Sequence, residues 1–156
     1  MTRRVAASSV MVAAREPLMR IQTHTFATSP SAPGGGGAFE GSNISEVDFE
    51  ELSAELLGTL ETALDKASGK LNPEEIVCAY GVLTLDLGKR GTWVINKQTP
   101  NKQMWWSSPI SGPRRFAYDT KDKKWHWTLD HSVTLGELLS KELKQTSPGL
   151  DLDLRL

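Results

Sequence analysis

One cysteine, Cys78, in a chain of 156 residues leaves nothing for it to pair with. That excludes a disulfide framework and a cysteine-rich zinc module. No apolar run approaches the roughly 18 residues of a membrane-spanning helix, so no membrane insertion is expected. Net charge is also scarce: 18 Lys and Arg stand against 19 Asp and Glu, a formal −1. A nucleic-acid binder that works by bulk positive charge is therefore excluded. Only three histidines occur, scattered at positions 24, 126 and 131, and no nucleophile–base pair or closed metal cage is visible. Cys78 falls among apolar neighbours and reads as a core residue.

What is present is a charge pattern that the total conceals. Residues 1–40 carry net +2, and all four of their bases are arginines. Residues 41–75 hold nine acids against Lys66 and Lys70, for net −7. Residues 76–156 hold twelve bases against eight acids, for net +4. An acidic block lies between two basic ones.

Up to about Thr28 the chain is rich in Ala, Ser, Thr and Arg, with Glu16 its only acid. A cationic, amphipathic, acid-poor leader of this kind is what mitochondrial import requires, and it lacks the apolar core of a secretory signal. Thr28–Gly41, TSPSAPGGGGAFEG, has linker composition. The expected organisation is a transit peptide and linker over residues 1–41, then one domain with a C-terminal tail over 42–156.

Ser45–Ala67 reads as an amphipathic helix. Phe49, Leu52, Leu56, Leu57, Leu60, Ala63, Leu64 and Ala67 fall within an arc of about 140°. Asp48, Glu50, Glu51, Glu55, Glu61 and Asp65 fill the rest. Ser45 fits the N-cap, and Gly69 with Asn72-Pro73 ends the helix. Glu51/Glu55 and Glu61/Asp65 are like-charge i,i+4 pairs, which destabilise a helix by a few tenths of a kcal/mol each. Such a face suits a basic protein partner, weakly held oxygen-preferring cations, or plain solvation.

Residues 76–129 alternate apolar and polar with breaks at Gly and Pro, which predicts a meander of short antiparallel strands. Parity assigns the faces. Leu83, Leu85, Leu87, Trp93, Ile95, Met104, Trp106, Phe116 and Tyr118 go inward, and Trp125, Trp127 and Leu129 line one face. His126 and Thr128 take the opposite side from that last group. Asn96, Gln98, Gln103, Trp105 and Arg115 are left facing outward. An exposed Trp beside amides and an Arg has the composition of a protein-interface hot spot.

A second helix is expected after His131, with Thr134 and Glu137 as its capping box and Leu135, Leu138, Leu139 and Leu143 as its apolar stripe. The alternating tail LDLDLRL would close the core edge or the helices as an extended strap. The fold class is α+β: a two-layer sandwich, two helices packed on one face of an antiparallel sheet.

The run from Val94, VINKQTPNKQMWWSSPISGPRR, resembles the central signature of the frataxin family. NKQTPNKQ at Asn96–Gln103 and W-x-SSP-x-SGP-x-R at Trp105–Arg115 carry the resemblance, and the frame from Ser45 to Lys144 agrees. It implies a mitochondrial matrix protein that binds iron and promotes iron–sulfur cluster assembly. Such a protein docks on the cysteine desulfurase–scaffold complex, speeds sulfur transfer and delivers Fe2+. Oxidation of Fe2+ to Fe3+ with iron storage, and an iron-chaperone role toward ferrochelatase in haem synthesis, are the alternatives. The implied iron ridge is Glu46, Asp48, Glu50, Glu51, Glu55, Glu61, Asp65, Glu74, Glu75 and Asp86, holding Fe2+ weakly. The implied partner surface is Asn96, Gln98, Gln103, Trp105 and Arg115, the set that parity turned outward. A monomer is expected, with an iron-driven oligomer as the alternative. The chain departs from the family at Trp106, where an aliphatic residue is common, and at Tyr118, near where relatives carry Trp. The turn Asp119–Lys124 is longer and more basic, and Lys66 interrupts the acidic helix.

Overall fold

A computed structural model describes residues 43–156 apart from positions 153 and 155. The transit-peptide and linker reading of residues 1–41, and His24 with it, lies outside the described residues. The chain runs α1 (Glu46–Leu71), β1 (Glu75–Ala79), β2 (Val82–Asp86), β3 (Thr92–Gln98), β4 (Gln103–Ser107), β5 (Arg114–Asp119), β6 (Lys124–Trp127), β7 (Asp130–Thr134) and α2 (Leu135–Thr146). The seven strands form one sheet in chain order, and every neighbouring pair is antiparallel. Leucines of both helices share one core with the inward residues of the sheet, which gives the expected α+β two-layer sandwich.

α1 begins where expected. The Ser45 hydroxyl accepts from the Asp48 N–H (3.0 Å) while the Asp48 carboxylate reaches back to the Ser45 N–H (3.3 Å), a closed capping box. It ends four residues later than Ala67, running through Gly69 to Leu71 before Asn72 turns left-handed at φ 45°. Gly69 costs about 1 kcal/mol within a helix. Two contacts offset this: Leu71 is fully buried, and the Arg90 guanidinium donates to the last carbonyls, Leu71 O and Asn72 O. Arg90 also donates to Ser147 Oγ (2.8 Å), so one side chain ties the ends of α1 and α2.

Strand parity held for Leu83, Leu85, Leu87, Trp93, Ile95, Met104, Trp106, Phe116 and Trp125, all buried. Edge-to-face ring pairs, Phe49–Trp125 (6.0 Å) and Trp106–Phe116 (6.1 Å), fill the space between α1 and the sheet. Parity failed after Trp127. Leu129 is 73% exposed, because β6 ends at Trp127 and the chain turns into a strand, β7, that the sequence reading had passed over. Trp127 is only partly buried and carries the Arg114 guanidinium 3.8 Å above its ring. Cys78 sits on edge strand β1 and is half covered rather than deep in the core.

α2 starts at Thr134, whose hydroxyl accepts from the Glu137 N–H (3.4 Å). The buried Glu142 Oε2 accepts from Trp93 Nε1 (2.8 Å) and fixes α2 to the centre of the sheet. The tail is the predicted strap: Leu150, Leu152 and Leu154 are buried, and the Leu154 N–H donates to Ser140 Oγ (3.3 Å). Its backbone passes so close to Gly136 that a Cβ there would overlap the Leu154 carbonyl.

Candidate functional site

The β3–β4 hairpin separates its signature into two sets. Asn96, Gln98 and Gln103 lie on the face away from the helices, whereas Lys97 follows Trp93 and Ile95 onto the helix side. Lys97 Nζ meets Glu50 Oε2 at 2.5 Å, and the Thr99 hydroxyl donates to Glu50 Oε1 (2.7 Å). Lys102, left-handed at φ 49°, places Nζ 2.5 Å from the Ile44 carbonyl. Lys97, Thr99 and Lys102 of NKQTPNKQ thus anchor the hairpin to the start of α1, while Asn96, Gln98 and Gln103 are displayed. The anchoring residues were missed in the sequence reading, although the parity that buried Trp93 and Ile95 also turns Lys97 inward.

The displayed half continues across the sheet. Asn96 lies opposite Trp105, and Trp105 opposite Arg115, so three side chains form a row over β3, β4 and β5. With strands about 4.8 Å apart the row spans about 10 Å. Gln98 and Gln103 face each other in the next row. The Arg115 guanidinium sits 4.9 Å from the Trp105 ring centroid, a cation–π contact. Trp105 is half buried and Arg115 exposed. All five expected partner residues therefore share one uncovered face.

The loop after β4 shows why SSP-x-SGP follows the tryptophans. Ser108 Oγ accepts from the N–H groups of Ile110 (3.0 Å) and Ser111 (2.9 Å), and Ser111 Oγ accepts from Trp106 Nε1 (3.3 Å). The serines satisfy a tight turn and the polar edge of the inward Trp106.

The ten expected iron-ridge acids do not form one cluster. Glu50 is taken up by Lys97 and Thr99, and these bonds, with the Lys97 charge, hold its carboxyl below the usual range. Asp48 serves the capping box but also lines a groove of about 330 Å3 with Glu51, Glu55, Tyr118, Thr120 and Lys123. Burial, then the charges of Glu55 and Asp122, push the Tyr118 phenol up, so it stays protonated. Glu61 lies close enough to Cys78 to raise its thiol further, after burial as the main cause. Cys78 is therefore a thiol rather than a thiolate nucleophile at neutral pH.

Glu75 faces Asp86 directly across β1 and β2, with Glu74 beside them. Asp86 Oδ1 accepts from the Gly88 N–H (2.8 Å). Glu46 and Asp65 are exposed on α1. Among the described residues no three or more His, Cys, Asp or Glu side chains are arranged to enclose a metal ion. What the acids offer is an open, oxygen-rich face, which suits weak binding of hard cations.

Residues 42–149 match the family model of the Frataxin-like domain. The chain is similar to mitochondrial frataxin of Dictyostelium discoideum, 56% identical over 63 residues, which are 40% of this chain and 32% of that protein. It is also similar to the mitochondrial frataxin homolog of Schizosaccharomyces pombe, 36% identical over 110 residues, covering 69% of this chain and 70% of the relative. The chain thus matches about a third of the length of the first relative and just over two thirds of the second. Among solved structures it resembles trimeric frataxin of Saccharomyces cerevisiae, complexed with ferrous iron, at 30% identity and a TM-score of 0.55. That match covers 68% of this chain and 88% of the yeast one.

Proposed function

As the chain belongs to the frataxin family of mitochondrial, iron-related proteins, we propose that it promotes iron–sulfur cluster assembly by docking its uncovered sheet face on a cysteine desulfurase–scaffold complex. The observation that supports this is the row Asn96–Trp105–Arg115, displayed outward on a hairpin whose alternate residues are fastened to α1. A half-buried Trp at the centre of such a face is an anchor for a partner, and the Arg beside it supplies directional hydrogen bonds. Trp105 and Arg115 engage a mobile catalytic segment of the complex and accelerate sulfur transfer. The acidic α1 face steers the approach to a basic surface and carries Fe2+ as loosely held cargo. Residues 1–41 act as the import leader and linker.

In an assay with purified desulfurase and scaffold, Trp105→Ala lowers the rate of cluster formation at least tenfold while the variant keeps its melting temperature within a few degrees. An unchanged rate sinks the docking reading.

Oxidation of Fe2+ with dioxygen as electron acceptor is a second reading, favoured by Asp48, Glu51 and Glu55 lining one groove. It requires oxygen uptake on adding Fe2+ that is lost in Glu51→Gln/Glu55→Gln. Oxidation no faster than in buffer excludes it.

A further inference from the structure

At the β6–β7 corner the outer face of the sheet buries polar side chains where parity leads one to expect solvent. His126 is 4% exposed and Asp119 6%. The pairing of β6 with β7 breaks between His126 and Trp127: His126 lies opposite Thr134, but Trp127 lies opposite Asp130. The extra length of β7 curls back and lays the His131 ring flat on His126, with centroids 3.9 Å apart and planes within 4°. Each imidazole points Nε2 at a carboxylate, His126 at Asp122 (2.7 Å) and His131 at Asp119 (3.0 Å).

The second nitrogen of His126 decides its chemistry. Nδ1 lies 2.6 Å from the His131 carbonyl oxygen. A carbonyl can only accept, so Nδ1 carries a hydrogen. An ionised carboxylate also only accepts, so the 2.7 Å contact to Asp122 Oδ2 needs a hydrogen on Nε2 as well. A neutral imidazole can meet one of these demands but not both. We propose that His126 is a proton-operated latch: as imidazolium it ties the β5–β6 turn, through Asp122, to the backbone of β7, through His131. Loss of one proton sets two lone pairs against each other at one contact and releases that tie.

Asp119 and Arg115 lie on β5; Lys121, Asp122 and Lys123 lie in the β5–β6 turn; Lys124 lies on β6; Asp130 and His131 lie on β7. α2 packs on the other layer of the sandwich. A neutral His131 satisfies Asp119 by donating from Nε2, whereas a second imidazolium would stack like charge on like charge at 3.9 Å.

Both contacts are made only while His126 carries two ring hydrogens. The latch borders the docking face, since His126 lies opposite Ala117 and Ala117 opposite Gln103. Any effect on docking rests on the reading given above. The latch itself belongs to the isolated protein, so its failure and that of the docking reading are separate results.

Long-range 1H–15N spectra of the full chain, taken from pH 5.5 to 9, read which ring nitrogens bear hydrogen. The expected result is two N–H nitrogens on His126 at the acid end, one lost toward the alkaline end, and a melting temperature that falls in step. Asp122→Asn, on an exposed turn, should abolish the doubly protonated signal and raise amide exchange in β7 at least fivefold at the acid end. A single N–H nitrogen on His126 across the whole range overturns the proposal, as does unchanged protonation and exchange in Asp122→Asn.

Discussion

Lys97 and Trp105 come from one hairpin and face opposite ways, and the roles of both follow from which side of the sheet they occupy. Lys97 spends its charge on Glu50, so a carboxylate that the family resemblance places on an iron ridge also anchors the hairpin. Lys97→Met should loosen the β3–β4 hairpin and lower cluster assembly severalfold while leaving Trp105 in place, a loss that rate measurements at saturating partner can separate from weaker binding. The pH dependence has a defined sign. The Glu50 carboxyl is held below its ordinary 4.5 by Lys97 and Thr99. Its contribution is therefore complete above that value and lost as pH falls through the depressed one. Melting temperature followed from about pH 6 to about pH 3 should fall more steeply in the wild type than in Lys97→Met.

At the scale of elements, strands between α1 and β5 were legible because the sheet buries one face and pleats with period two. Leu83, Leu85, Trp93, Ile95, Met104 and Trp106 had only one side to choose. The region from Trp127 to Thr134 was not legible, because a break in strand register resets parity and leaves Leu129 in a turn. The burial of Asp119 and His126 was hidden for the same reason: it depends on the His131 ring, folded back from two residues past the turn. The displayed partner residues were found by alternation. The anchors needed a contact between α1 and a hairpin about 50 residues on, which local pattern does not encode.

Arg90→Ala removes charged hydrogen bonds to Leu71 O, Asn72 O and Ser147 Oγ. It should cost about 1–3 kcal/mol in urea unfolding and fray the last turn of α1 first in hydrogen exchange. Gly136→Ala drives a methyl group into the path of the tail. It should cost about 1–3 kcal/mol and make removal of the residues after Gly149 nearly neutral in that background.

For the whole molecule, the formal charge of −1 describes no part of it. Residues 41–75 carry −7 and residues 76–156 carry +4, so the described domain presents an acidic helix against a more basic remainder. A partner approached by the α1 face should associate more slowly as salt rises, because the Debye length shortens from about 10 Å at 0.1 M toward 3 Å at 1 M. Stopped-flow association rates should show this strongly for the wild type and weakly for Glu51→Gln/Glu55→Gln. Trp105→Ala should instead act on dissociation.

The strict chain order of the sheet has a consequence for how the molecule is made. Each strand pairs with the segment next to it in the chain, so hairpins can zip one after another without closing long loops. A β-rich domain with such local pairing should fold faster than a sandwich of equal size built on crossed connections. α1 is the exception. It precedes the sheet yet rests its leucines on it. In a chain that emerges N-terminus first, its apolar stripe therefore waits uncovered until the strands behind it have arrived.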